Sequence, residues 1–309
     1  MEKVDILTCT DSTFVVPLGV LLHSICANNV NCVFQFHIII DKTVSDKQKL
    51  QLSQTVERCG QTIFYDVNAD KLDVKLPIVS YRFPVSIYYR LLMAKILPES
   101  VSRILYLDAD IVVRHDLEEL WKTDLQGCAL GAVVNQTKAR RYWERLDYPR
   151  SIGYVNSGVL LVDLTYWRQH KVTEQFLDYI SKDSKRLVYP DQDVINVVLK
   201  GKIFFLKEKY NTQEGFFVEG RETQSHETQD GVNEAIHDSC VLHYTGCKPW
   251  DWFCDHPLKD VYYQFKRDTL WENNLFMETK WLRSFSLFYN ELKRVLRKYR
   301  EPKKIYKKL

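Results

Sequence analysis

Two aspartates one residue apart close an apolar run in RILYLDADIVVRHDLEELW, residues 103–121. Ile104, Leu105, Tyr106 and Leu107 read as a strand covered on both faces, so Asp108 and Asp110 fall where burial persists. Carboxylates this close repel, and stay ionised only beside a cation or convergent donors. A divalent metal is one such cation. Alternate residues of an extended segment point to opposite faces, so across Ala109 one carboxylate can bind an ion while the other binds ligand or braces the shell. The plain alternative is a turn with two solvated aspartates.

Three further stretches carry residues of the right types. VLHYTGCKPWDW (241–252) supplies His243 after a strand, then Gly246, Lys248 and Trp250. An imidazole completes a Mn²⁺ site with two carboxylates, glycine permits close backbone approach to a phosphate, and lysine offers it a point charge. YPDQDVIN (189–196) places Asp191, Gln192 and Asp193 in a first helical turn, where acids also simply complement the helix dipole. YVNSGVLLVDLTYWR (154–168) sets Asn156 and Ser157 before a buried strand.

The elements that position these groups alternate. Strands are predicted over 4–10, 35–40, 61–67, 103–107, 129–134, 155–164, 203–206 and 240–244. Helices are predicted over 17–27, 45–59, 86–96, 165–180 and 191–200, with Ser45 and Gln48 forming a capping-box signature and Gly201 closing the last. Strands alternating with helices imply an α/β fold, a mostly parallel central sheet with helices on both faces. Ligands in such sheets bind beyond the carboxyl ends of the strands, so residues 8–13, 108–110 and 243–246 could meet in one crevice. The polar stretch 220–234 reads as a mobile loop.

In this order, the strand and DAD, NSGVLLVDLTYWR (156–168), DQD (191–193) and HYTGCKPW (243–250) resemble glycosyltransferase family 8, with the flavour of bacterial lipopolysaccharide galactosyl- and glucosyltransferases. The resemblance covers roughly residues 4–270. It implies a GT-A fold, transfer of a hexose from UDP-galactose or UDP-glucose with retention of configuration, and a need for Mn²⁺, with Mg²⁺ as the substitute. It also implies roles. Asp108, Asp110 and His243 would be the metal ligands. Cys9, Thr10, Asp11 and Thr13 match the uridine-binding stretch, and Arg90 an arginine on the donor sugar or diphosphate. Gly246 and Lys248 match the diphosphate grip. Asn156, Asp191 and Gln192 match residues around the transferred sugar. In place of a frequent aspartate after the strand at 129–134 stands Asn135, an amide that hydrogen-bonds but is no base. Glycogenin-like self-glucosylation and a non-catalytic sugar-nucleotide binder are alternatives. So is a phosphatase with a nucleophilic Asp108, although that motif normally ends the first strand of its domain.

The chain of 309 residues, 27% of them charged, suits one α/β domain over 1–270 with an appendage over 271–309. No apolar run is long enough to span a bilayer, and the first residues lack the pattern of a signal peptide. The eight cysteines include no CxxC pair and read as free cytosolic thiols. The spacing of His243, Cys247, Cys254 and His256 fits no standard zinc site. Residues 278–309 hold eleven basic residues against three glutamates, +8 in a chain whose formal total is +3, so the rest carries −5. Within residues 280–309 the apolar positions recur at three- and four-residue intervals. That describes a basic amphipathic helix suited to an anionic membrane surface rather than to nucleic acid. The implied location is cytoplasmic, peripheral on the inner face of the plasma membrane, with a lipid-linked saccharide as acceptor.

Overall fold

The computed structural model describes residues 2–67, 76, 85–136, 141–251 and 254–273. The basic segment 280–309 lies outside them. The strands, in chain order, are β1 (Glu2–Thr10), β2 (Cys32–Ile40), β3 (Gly60–Asp66), β4 (Arg103–Leu107), β5 (Ile111–Val113), β6 (Leu130–Ala132), β7 (Val159–Asp163), β8 (Ile203–Phe205), β9 (Thr212–Gln213) and β10 (Val241–His243). The main sheet runs β3-β2-β1-β4-β7-β6-β8. β7 is antiparallel to both of its neighbours and every other pairing is parallel.

Each strand of this sheet serves two cores, as its alternating side chains require. Leu105 and Leu107 of β4 pack with Leu18, Leu21 and Ile25 of the helix Val15–Asn28. Ile104 and Tyr106 pack on the opposite face with Met93, Trp167, Phe176 and Ile195. Arg168 fastens that second layer: its guanidinium donates to the carbonyls of Ala94, Leu97, Pro98, Glu99 and Val101, fixing the chain as it enters β4. The capping box at Ser45 is present, with Ser45 and Gln48 bonded reciprocally at the start of the helix Asp46–Val56.

Four expectations need correction. The helix predicted over 165–180 is two helices, Leu164–Gln169 and Val172–Asp183. Lys171 between them adopts a left-handed φ of 52° that interrupts the helical bonding. The stretch over 86–96 is mostly 3-10 helix, Val85–Leu92. The polar segment 220–234 is not a free loop. Arg221 reaches both the Glu227 carboxylate, at 2.9 Å, and Gln136, and a helix, Gln229–His237, starts at the Thr228 cap and buries Val232, Ala235 and Ile236. Finally, Cys26 and Cys59 are joined in a disulfide, brought together where the helix Val15–Asn28 passes the turn after residue 56; Cys9, Cys32, Cys128, Cys240, Cys247 and Cys254 are free.

A second, small sheet, β5-β10-β9, was not predicted: β10 was expected as a strand, but β5 and β9, of three residues and two, carry no readable pattern. It matters most for the site. β10 runs antiparallel to β5 with His243 opposite Ile111, and the Tyr244 amide donates to the Asp110 carbonyl at 3.1 Å.

Candidate active site

β4 delivers Asp108 to the rim of the main sheet, where its amide donates to the Gly158 carbonyl at 2.9 Å. Asp110 precedes β5, and the register of β5 with β10 sets His243 beside it. His243 Nε2 lies 3.3 Å from Asp110 Oδ1 and 3.8 Å from Asp108 Oδ2. One ligand atom from each of Asp108, Asp110 and His243 lies within 4.8 Å of the others. Lys248 joins them, its ammonium paired with Asp110 and donating to the Tyr244 carbonyl at 2.5 Å. Burial pushes the Asp110 carboxyl up, but the Lys248 ammonium and His243 outweigh it and hold the group well below the usual carboxylate range.

A chain of amides fixes the imidazole. The Gly158 backbone N–H, which can only donate, gives its proton to Asn156 Oδ1 at 2.9 Å. That assigns the Asn156 oxygen, so the group reaching the same atom from Asn211 at 2.9 Å is its Nδ2. Asn211 Oδ1 therefore faces His243 Nδ1, at 2.9 Å. The imidazole therefore carries a proton on Nδ1 and directs Nε2 at the two carboxylates, the nitrogen that a metal ion could take. An imidazole held in this way is arranged as metal-binding histidines are, and two carboxylates with one imidazole can hold a divalent cation. The residues fit such an ion.

The same chain continues to the other predicted residues. Gln192 Oε1 accepts from the Ser157 amide at 3.3 Å and from Asn156 Nδ2 at 3.1 Å, while its Nε2 donates to Asn135 Oδ1 at 3.4 Å. Arg90, buried, spans the gap to the aspartates. Its Nη2 lies 2.8 Å from Asp108 Oδ1, its Nε 3.1 Å from Asp191 Oδ2, and its Nη1 donates to the Ser157 carbonyl at 2.9 Å. Tyr106 backs the arginine with its ring and donates its hydroxyl to Asp108 at 2.7 Å. Burial raises the Asp191 carboxyl above its ordinary range, against the pull of Arg90.

At the end of β1, Asp11 Oδ1 accepts from the Thr13 amide at 2.7 Å and the Thr13 hydroxyl at 2.5 Å, a closed turn. Thr10 donates to the Asp11 carbonyl. The Cys9 thiol is pushed up to about 12, chiefly by burial, and stays neutral. Two candidates have other partners than the sequence suggested. A Cβ on Gly246 would meet Glu214 Oε2 at 1.5 Å, so this glycine admits the Glu214 carboxylate. Asp193, rather than sitting at a solvated helix end, is buried and clamped by both Arg145 nitrogens at 2.7 and 2.8 Å and by the Tyr154 hydroxyl at 2.6 Å. Asn211, Tyr106 and Gly158 were missed; no motif surrounds Asn211, and only its contact with His243 reveals it.

Gly158 has a sharp requirement. A Cβ there would lie 2.1 Å from His243 Cε1 and 2.9 Å from Asp108 Oδ2. Gly158→Ala is expected to displace the imidazole and weaken Mn²⁺ binding by about 10- to 100-fold. Titration calorimetry would show it, and unchanged affinity would remove the imidazole from the metal set.

Comparison with known proteins places the chain in a family. The model of the family described as "Glycosyl transferase family 8" matches residues 5–254, and the chain belongs to that family. It is similar to a lipopolysaccharide 1,2-glucosyltransferase of Escherichia coli K12, 32% identical over 91% of this chain and 83% of that protein. It is also similar to the lipopolysaccharide glucosyltransferase WaaO of the same strain, 28% identical over 96% and 86%. Among solved structures it superposes on galactosyltransferase LgtC in complex with donor and acceptor sugar analogues, with a TM-score of 0.76, 24% identity, and coverage of 87% of this chain and 99% of that one. The fold is the GT-A fold, as expected. Family membership also displaces the phosphatase reading of the aspartate pair.

Proposed function

We propose that this chain is a retaining hexosyltransferase that moves galactose or glucose from a UDP-sugar to a saccharide acceptor, lipid-linked, in lipopolysaccharide or capsule synthesis. The observation that carries the reading is the convergence of Asp108, Asp110 and a His243 of fixed tautomer at the strand ends. The names of the relatives support the chemistry.

Asp108, Asp110 and His243 would hold Mn²⁺, which when bound neutralises charge on a departing diphosphate. The remaining work falls to side chains. Cys9, Thr10, Asp11 and Thr13 form the wall for the uridine, with Asp11 accepting from uracil or ribose. Arg90 holds Asp108 and Asp191 in fixed positions and presents positive charge toward the donor. Lys248, on a flexible stem, can pass from Asp110 to a phosphate oxygen, with Gly246 in the same turn. Asn156, Asp191 and Gln192 surround the transferred sugar. Gln192 accepts two hydrogen bonds at Oε1, which makes a poor nucleophile poorer, and Asn135 cannot serve as a base. Same-face attack follows, in which the leaving diphosphate oxygen takes the proton of the incoming hydroxyl. Preorganised positive charge at the leaving group supplies most of the acceleration.

Among the described residues no helix is long and apolar enough to cross a membrane. We assign residues 280–309 to the anionic inner face of the plasma membrane, with the catalytic body in the cytoplasm.

The test is UDP release from a panel of UDP-sugars, which needs no acceptor. One UDP-hexose is expected to be hydrolysed with Mn²⁺, and EDTA is expected to abolish the reaction. Failure of every UDP-sugar both to react and to bind in the presence of Mn²⁺ would overturn the reading.

A further inference from the structure

A second cluster of ligating side chains lies behind the turn that carries Lys248. Glu214 opens the 3-10 helix Glu214–Phe217 and is buried. Its Oε1 is 3.9 Å from Cys247 Sγ, and on another side Asp255 Oδ1 is 3.7 Å from the same sulfur. One ligand atom from each of these three residues lies within 4.8 Å of the others. Cys254 Sγ stands 3.1 Å from Cys247 Sγ. Gly246 makes the approach possible, since any Cβ there would occupy the position of the Glu214 carboxylate.

We propose that Glu214, Cys247, Cys254 and Asp255 form a zinc site, separate from the hard-metal triad at Asp108. Two thiols and two carboxylates supply four ligand atoms of the types that tetrahedral zinc takes. Tetrahedral zinc, with bonds of about 2.3 Å to sulfur and about 2.0 Å to oxygen, sets its ligand atoms roughly 3.3–3.8 Å apart. The three contacts of Cys247 Sγ, 3.1 to 3.9 Å, lie near those spacings, and the Glu214 and Asp255 oxygens come within 4.8 Å of one another. Thiolates select zinc, whereas two carboxylates and an imidazole suit Mn²⁺, so the two sites would take different ions from one solution. Zinc would bind the turn 246–255 to the 3-10 helix at Glu214 and fix the backbone from which Lys248 projects. The site lies outside the glycosyltransferase reading and stands or falls without it. The cysteine spacing hides it, because Glu214 comes from a distant segment and both Asp255 and Cys254 follow Cys247 by an unusual interval.

Cobalt(II) is the probe. Added to the reduced, metal-free full chain, it is expected to give a thiolate-to-cobalt charge-transfer absorption in the near ultraviolet, saturating at one equivalent and bleached by zinc. The triad contains no sulfur, so Asp110→Asn is expected to keep the band, and Cys247→Ser to lose it and to bind zinc at least about 100-fold more weakly. In the unmutated chain, zinc is expected to protect Cys247 and Cys254 from alkylation, read by peptide mass mapping. No thiolate band in the wild type, a band that survives Cys247→Ser, or equal alkylation with and without zinc overturns the site. So does a Cys247–Cys254 disulfide that forms in the presence of zinc once reductant is removed.

Discussion

Asparagine in place of Asp110 is expected to lower Mn²⁺-dependent UDP release about a thousandfold, the equivalent of the several kcal/mol that a bound metal contributes at a leaving diphosphate. The substitution keeps the shape of the side chain and removes its charge. It also unbalances Lys248, whose ammonium pairs with Asp110 and whose charged form that pairing stabilises against burial. An ammonium left without its carboxylate costs about 2 kcal/mol of stability, so lost activity could be mistaken for poor folding. The double variant Asp110→Asn with Lys248→Met separates the two. It removes both charges and is expected to regain most of the stability in denaturant melts while staying inactive. Activity within tenfold of wild type in the single variant would take Asp110 out of the metal set. A double variant that recovers activity would make Lys248, not the metal site, the source of the defect.

The second large effect belongs to Arg90, where methionine is expected to cost about 3–5 kcal/mol of stability as well as activity. The guanidinium is buried and touches Asp108, Asp191 and the Ser157 carbonyl at once. Its removal strips the two carboxylates of their shared cation, in a place where burial already raises Asp191. That carboxyl rises further without Arg90. A carboxyl whose folded pKa lies above its unfolded value costs stability when ionised and regains it on protonation. The deficit of Arg90→Met is therefore largest at neutral pH and shrinks as the pH falls through the raised folded value of Asp191. Urea melts of both proteins at neutral and at mildly acidic pH measure this. A deficit below about 1 kcal/mol, or one that grows on acidification, would mean that Arg90 does not balance these carboxylates.

The sequence made the scaffold of the site legible and left its wiring hidden. The run 104–107 announced β4, and the strand before His243 announced β10, because buried parallel and central strands are continuous apolar runs. Ser45 and Gln48 announced a helix start because capping is a local interaction. The pairing of β5 with β10 has no such local signature: three residues are too few for a periodicity, and their partners are remote in the chain. Asn211 is similarly silent, since a buried amide among polar neighbours looks like any turn residue until its partners on β10 and before β7 are known. Asp193 shows the converse error. Its place in a first helical turn offered, beside a site role, only complementation of the helix dipole, while Arg145, distant in sequence, makes it a buried anchor. Residue types and spacing located the carboxylates and the imidazole, and only long-range packing could say what holds them.

The register that sets His243 opposite Ile111 also determines when the site comes into being. Strands β1, β2 and β3 adjoin in space as they adjoin in sequence, so this half of the sheet can consolidate from local partners while the chain is still being made. The carboxylates of Asp108 and Asp110 emerge next, with neither their imidazole nor the backbone pairing that orients it. Closing β5 against β10 spans most of the remaining domain, a contact of high sequence separation that carries a loop-closure cost. A nascent chain halted before residue 243 would hold Asp108 and Asp110 without the imidazole that lies beside them in the folded chain. Asp108, Asp110 and His243 converge only once β10, the last strand in the chain among the described residues, has paired with β5.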